Sequence, residues 1–244
     1  MPNPLKRIAL VTGANKGIGF EVVRQLAASG CAVLLGARNK ALGRDAAATL
    51  KREGRDVRHL PVDLDDPSTT AAAAMRIEAD FGRLDILVNN AGIAAPGDGL
   101  PSSVSLDAIE RDFRVNFLGT VAVTQAMLPL LRRATSANII NVSSGLGSLT
   151  KSGDPAWTHV AAKFLGYAAS KAALNMLTVQ LAYELRDTSI KVNSVDPGYT
   201  ATDLNQHRGT QTIPEGAAEI VRLALTAGDG PTGTFSNAKG IVPW

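Results

Sequence analysis

Ile8-Ala9-Leu10-Val11-Thr12-Gly13-Ala14-Asn15-Lys16-Gly17-Ile18-Gly19 runs a short apolar stretch straight into the helical pattern of Phe20 to Ser29. The apolar stretch reads as a β-strand and the junction as a strand-to-helix turn. Glycines there let the backbone turn tightly and come close to a ligand, and the unpaired amides at the helix start attract a pyrophosphate. A turn that served only the fold has no need of three glycines. Their spacing, Gly-x-x-x-Gly-x-Gly, differs from the Gly-x-Gly-x-x-Gly of the larger dinucleotide-binding dehydrogenases and lacks the Gly-Lys-Ser/Thr of nucleotide hydrolases.

Outward from this junction the alternation recurs. Apolar, β-rich runs at Ala32 to Gly36, Arg58 to Val62, Leu84 to Asn89, Asn138 to Ser143, Lys191 to Val195 and Thr234 to Ser236 are separated by helical patterns, with no repeat or linker dividing the chain. Such alternation predicts a parallel sheet covered by helices on both faces. Asp66-Pro67 reads as an N-cap with proline in the first turn, and Gly30 as a helix stop.

With 244 residues, 45% hydrophobic and 19% charged, one α/β domain over 1–244 is expected. The net charge of +3 is mild and the basic residues are scattered, which speaks against a nucleic-acid partner. Cys31 is the single cysteine, which excludes an internal disulfide and fits a reducing compartment. The start, Met1-Pro-Asn-Pro-Leu-Lys-Arg7, lacks the apolar core of a signal peptide, and no apolar run is long enough to span a bilayer. A cytoplasmic protein without a membrane partner is expected.

The end of the second strand selects the cofactor, because an acidic residue there bonds the adenosine ribose while a cation accommodates a 2′-phosphate. Here the strand closes Leu35-Gly36-Ala37-Arg38, with no carboxylate and with a planar cation suited to phosphate. Lys16, inside the glycine loop, is a second cation aimed at the same region. Together they favour NADPH over NADH by about 2 kcal/mol, on the scale of one charged hydrogen bond. Asp63 and Leu64 follow the third strand, where the carboxylate suits the adenine amino group, and Asn89-Asn90-Ala91-Gly92 closes the fourth. The asparagines organise a turn and brace the central sheet; Ala91-Gly92 permits close approach of a cofactor.

Tyr167-Ala-Ala-Ser-Lys171 places a tyrosine and a lysine on one helix face, where both can act on one bound molecule. Alone the pair is weak, but in order with the glycine loop, Asn89-Asn-Ala-Gly92, Asn116, Ser143-Ser144 and Pro197-Gly198 it resembles the signature of the short-chain dehydrogenase/reductases along almost the whole chain. The Asn15-Lys16 loop, the Ala37-Arg38 strand end and the stretch from Gly233 to Trp244 are most similar to the NADPH-dependent carbonyl reductase-like members.

The resemblance implies a three-layer Rossmann fold with a doubly wound, seven-stranded parallel sheet, and reduction of a ketone, aldehyde or quinone by hydride transfer from NADPH. It assigns the proton to Tyr167, and to Lys171 the lowering of that tyrosine's pKa and the hold on the nicotinamide ribose. Bringing a phenol from about 10 to neutrality takes roughly 4 kcal/mol, from Lys171 and the cofactor's positive ring. The substrate oxygen goes to Ser144 rather than Ser143, since members with one serine carry it at the second position, and Asn116 anchors a water beside Lys171. Cofactor contacts fall to Gly13, Asn15, Lys16, Gly17, Ile18, Gly19, Arg38, Asp63, Leu64, Asn90, Ala91, Gly92, Tyr167, Lys171, Pro197, Gly198, Thr200 and Thr202. The alternative is a non-catalytic NADP(H)-binding regulatory module, which has no need of Ser144, Tyr167 and Lys171 together.

The tyrosine helix carries two apolar stripes, Ala172-Met176-Val179-Tyr183 and Leu174-Leu177-Leu181-Leu185. One meets the sheet; the other meets a neighbouring helix or a second subunit, leaving monomer or homodimer open. Ser144 and Tyr167 stand 23 positions apart, a modest insertion that brings Trp157, His159 and Phe164 towards the site as walls for an apolar carbonyl substrate or as packing for the loop. Three scattered histidines and one cysteine give no metal-ligand spacing. The polar stretch from Asp203 to Ile213 reads as a short mobile loop over an open cleft.

Overall fold

The apolar runs become strands and the amphipathic patterns between them become helices. In the computed structural model, which describes residues 6–244, these are β1 (Ile8–Val11), α1 (Gly17–Ala28), β2 (Ala32–Ala37), α2 (Lys40–Arg52), β3 (Val57–Pro61), α3 (Pro67–Phe81) and β4 (Ile86–Asn89) in the first half. The second half holds α4 (Leu106–Phe113), α5 (Thr120–Leu131), β5 (Ala137–Val142), α6 (Leu149–Gly153), α7 (Leu165–Glu184), β6 (Ile190–Val195), α8 (Ile213–Leu225), β7 (Phe235–Asn237) and β8 (Gly240–Ile241). The first five residues of the stretch read for a signal peptide lie outside the described residues. Among the described residues no helix is long and apolar enough to cross a membrane.

The strands form one sheet in the order β3-β2-β1-β4-β5-β6-β7-β8, parallel through β7. The expected seven parallel strands are all present. The eighth, β8, pairs antiparallel with β7 and is two residues long, too short for any periodicity to reveal. Alternate strand residues serve opposite layers. Ala9, Val11, Val33, Leu35 and Val88 pack with α1, α2 and α8, whereas Ile8, Leu10, Leu34, Leu87 and Val192 pack with α3, α5 and α7. The strand order reverses between β1 and β4, which opens a crevice at their carboxyl ends.

Local signals hold. The Asp66 side chain accepts from Ser68 N–H, with Pro67 in the first turn of α3, and Gly30 adopts φ +89° after α1. Between α4 and α5 the helix passes through a π-helical segment, Arg114–Gly119, that nothing in the residue pattern announces.

Helix α7 buries most of the leucine stripe: Leu174, Leu181 and Leu185 are buried, the last two in the core beneath the sheet, and Leu177 is half-buried. The other stripe stays on the surface of the single chain, with Met176 56% and Tyr183 67% exposed, so a helix apolar on two sides is here covered on one. Polar groups fix its position along the sheet. Asn89 Nδ2 donates to Asn141 Oδ1 at 2.9 Å and to Thr124 Oγ1 at 3.0 Å; Asn141 Nδ2 donates to Thr178 Oγ1 at 2.8 Å; and the Thr178 and Ser194 hydroxyls are 2.8 Å apart. All of these residues are buried.

Replacing Asn141 with alanine leaves one Asn89 amide hydrogen without an acceptor, while Asn89 keeps Thr124 and Thr178 keeps Ser194, and we expect it to lower the unfolding free energy by about 2 kcal/mol. Urea denaturation measures this; a loss below about 1 kcal/mol would show that the apolar contacts alone hold α7 in register.

Candidate active site

The crevice is built where the glycine loop meets the end of β4. Thr12 Oγ1 accepts from Asn90 N–H at 3.0 Å and Ala91 N–H at 3.1 Å, and Asn90 Nδ2 donates to the carbonyls of Thr12 at 2.9 Å and Gly13 at 3.2 Å. These bonds draw the two chain segments so close that a Cβ on Gly13, at φ +63°, would lie 2.7 Å from Ala91 Cα. Helix α1 then begins from the extended backbone of Lys16 with no side chain capping its first amides. Those amides face a cavity of about 720 Å³.

The cavity walls include Gly13, Asn15, Lys16, Gly17, Ile18, Gly19, Arg38, Asp63 and Leu64 at one end. They continue through Asn90, Ala91 and Gly92 to Tyr167, Lys171, Pro197 and Thr202. Uncapped helix amides, a glycine cradle and this volume fit a dinucleotide. Gly198 and Thr200 are not on the wall. Thr200 is buried, donating its N–H to Gly198 O at 2.9 Å and its hydroxyl to Pro197 O at 3.0 Å, so the two residues shape the turn that carries Pro197.

Two cations stand at the outer end of the cavity, each beside a carboxylate that no pattern in the sequence pairs with it. Lys16 pairs with Asp203, which also accepts from His207 Nε2 at 2.8 Å, and this tie joins the glycine loop to the segment after β6 that was expected to be mobile. Arg38 lies 4.0 Å from Asp65, which Arg111 holds at 2.8 Å. Lys16 holds the exposed Asp203 carboxyl below its ordinary range. Lys16 and Asp203 are 187 positions apart and Arg111 and Asp65 46, and no short-range pattern signals either pair.

At the other end Tyr167 and Lys171 stand one turn apart on α7. The Lys171 ammonium is buried, donates to Val142 O at 2.9 Å and sits 5.6 Å from the centre of the Tyr167 ring. Burial lowers its pKa to about 8, with Asp112 pulling the other way. The Tyr167 phenol is pushed up to about 12, first by burial and then by the Asp196 and Asp112 carboxylates, while a hydrogen bond with Ser144 opposes them. The lowering expected of Lys171 and the cofactor's positive ring together would have to work against this burial.

Of the two serines, Ser144 meets the phenol. Ser143 is buried, and its hydroxyl points to Lys171 O at 3.4 Å. Asn116 lies in the π-helical segment; it accepts from Ile93 N–H at 2.8 Å and donates to Ile93 O and Ser170 Oγ, both at 2.9 Å. Both amide hydrogens are committed to tying the β4 loop to α7, leaving only acceptor capacity for a water near Lys171. Trp157 and His159 of the insertion and Tyr199 after β6 form a chain of rings 5.6 and 5.7 Å apart, with Trp157 against Gly145; Phe164 stands apart, 45% exposed just before α7.

The family model for short chain dehydrogenases matches residues 7–212. The chain belongs to the short-chain dehydrogenase/reductase family. This family member is 34% identical to Short-chain dehydrogenase/reductase 1 of Saponaria officinalis, across 98% of this chain and 96% of that protein. It is 32% identical to carbonyl reductase [NADPH] 3 of Mus musculus across 98% of each. Among solved structures, an NADPH-bound carbonyl reductase from chicken fatty liver superposes with a TM-score of 0.84 at 28% identity, over 98% of this chain and 99% of that one. The alignment with the Saponaria relative runs over 295 positions, against 244 residues here, so that relative carries segments this family member lacks. As an oxidoreductase of this family it uses a nicotinamide dinucleotide.

Gly13→Ala would force a side chain into left-handed backbone and against Ala91. We expect it to weaken dinucleotide binding by tenfold or more in isothermal titration; native affinity would show that the loop can relax away from β4.

Proposed function

We propose that this protein reduces a ketone, aldehyde or quinone to its alcohol with NADPH, reversibly, in the cytoplasm, with Tyr167 as general acid and base. One observation carries the reading: Tyr167 and Lys171 line the inner end of a cavity, with Ser144 beside the phenol, and the outer end carries Arg38 and Lys16. When bound, NADPH supplies the hydride. Tyr167 donates its hydroxyl proton to the substrate oxygen, and Ser144 holds that oxygen by a hydrogen bond as negative charge develops. Lys171, kept in place by Val142 O, stabilises the tyrosinate left behind. The cation pairs at the outer end are exposed and so worth little by themselves, which leaves Lys16 and Arg38 ready to exchange a carboxylate for a phosphate. Trp157, His159 and Tyr199 suit a flat, apolar substrate.

The pH dependence follows from the raised phenol and the lowered ammonium. A tyrosine near 12 is protonated at neutral pH, the form that reduction needs. Reduction is expected to be fastest at or below neutrality and to fall as pH rises through about 8, where Lys171 loses its charge. Alcohol oxidation, which needs the deprotonated phenol, should gain as pH rises from neutrality.

The first test is NADPH and NADH oxidation with a panel of aromatic ketones, aldehydes, quinones and cyclic ketones. Tyr167→Phe should lower turnover about a thousandfold while leaving the NADPH Kd within about twofold. A variant that turned over normally would remove Tyr167 from the chemistry, and a native protein that bound NADPH but reduced nothing would favour the regulatory module. Arg38→Ala should cost about 2 kcal/mol in NADPH affinity, roughly thirtyfold, and leave NADH affinity unchanged; equal losses for both would refute the phosphate assignment.

A further inference from the structure

Helix α7 lacks a cap of its own. The residue at its cap position is Phe164, whose side chain accepts nothing, whereas α2, α3, α6 and α8 are capped by the adjacent Asn39, Asp66, Ser148 and Thr212. The amides of its first turn are met from 68 residues away. Asp98, in the loop after β4, accepts from Gly166 N–H with Oδ1 and from Tyr167 N–H with Oδ2, both at 2.9 Å, and Leu165 N–H donates to Gly99 O at 3.0 Å. Gly99 N–H also donates to Asp98 Oδ1, at 2.8 Å. One carboxylate thus fixes the backbone of Tyr167 itself and places negative charge at a helix N-terminus.

Behind Asp98 lies a second carboxyl. Asp112, on α4, is wholly buried; its Oδ1 accepts from Ala95 N–H at 2.9 Å and its Oδ2 has no donor. A Cβ on Gly166 would lie 2.9 Å from that Oδ2 and 3.4 Å from Asp98 Oδ1, so α7 rests directly on the two acids with no side chain between. Two facing carboxyls attract when one carries a proton and repel when both are ionised, so Asp112 braces Asp98 below its own pKa and stands as a charge beside α7 above it. The groups that face Asp112 are Asp98 from the β4 loop and Lys171 and Tyr167 from α7, and burial pushes the Asp112 pKa up to about 6.

We propose that Asp98 is the positioning residue for Tyr167, a cap supplied across the fold, and that Asp112 braces it and sets part of the charge that Tyr167 and Lys171 feel. This rests on Tyr167 being the acid, and its failure reads differently from failure of that assignment. Asp98→Ala should lower kcat tenfold or more with NADPH and a quinone, leave the NADPH Kd within twofold, and speed hydrogen exchange at the Gly166 and Tyr167 amides. Asp98→Asn, which keeps one of the two acceptor oxygens and turns an amide nitrogen towards the other N–H, should recover only part of the lost kcat.

Asp112→Asn removes a negative charge beside both groups. The midpoint for phenolate formation by Tyr167, isolated as the difference between the protein and its Tyr167→Phe variant in ultraviolet titration, should move to lower pH, and so should the alkaline fall of reduction. Native kcat in Asp98→Ala while Tyr167→Phe is inactive would overturn the proposal and spare the function. Equal damage in Asp98→Ala and Asp98→Asn, with a proportional loss of NADPH affinity, or an unmoved Tyr167 titration in Asp112→Asn, would also overturn it.

Discussion

The buried polar ladder from Asn89 through Asn141 and Thr178 to Ser194 decides where every other part of the site stands. The leucines of α7 would pack against the sheet almost as well if the helix slid along its axis, because apolar contact is non-directional. The ladder would not survive the slide: Asn141 and Ser194 would lose Thr178, leaving the Asn141 amide hydrogens buried without an acceptor. Register is therefore set by hydrogen bonds and adhesion by the leucines. With Thr178 fixed, Lys171 lies two turns earlier, against the Val142 carbonyl at the end of β5, and Tyr167 one turn earlier again.

Solvent then divides the cavity into two electrostatic regimes. At the outer end, Lys16 and Arg38 pair with Asp203 and Asp65 in water, where such pairs exchange readily. At the inner end, Lys171 is buried and its charge is costly, while Tyr167 is held in its neutral form. The same cleft can grip a charged ligand at its mouth and handle a proton at its base, because exposure rather than residue type separates the two ends.

The π-helical segment and the β4 loop connect these regimes to the helix that carries the chemistry. Asn116 ties Ile93 to Ser170, and Asp98 ties the same loop to Gly166 and Tyr167, so the loop grips α7 at two points about one turn apart. Gly92 sits between, where a Cβ would lie 3.2 Å from Lys171 Nζ.

The sequence by itself determined the alternation of strand and helix, the glycine turn, the cap at Asp66 and the order of the family's motifs, because each depends on residues within a turn or two of one another. Tertiary structure alone decided the rest. The phenol is raised because burial and two carboxylates outweigh its hydrogen bond with Ser144. Gly198 and Thr200 shape a turn instead of a wall, and one stripe of α7 stays bare. Asp65, Asp98, Asp112 and Asp203 acquire their partners only when segments far apart in the chain are brought together, and a charge's effect depends on that neighbourhood and its access to water.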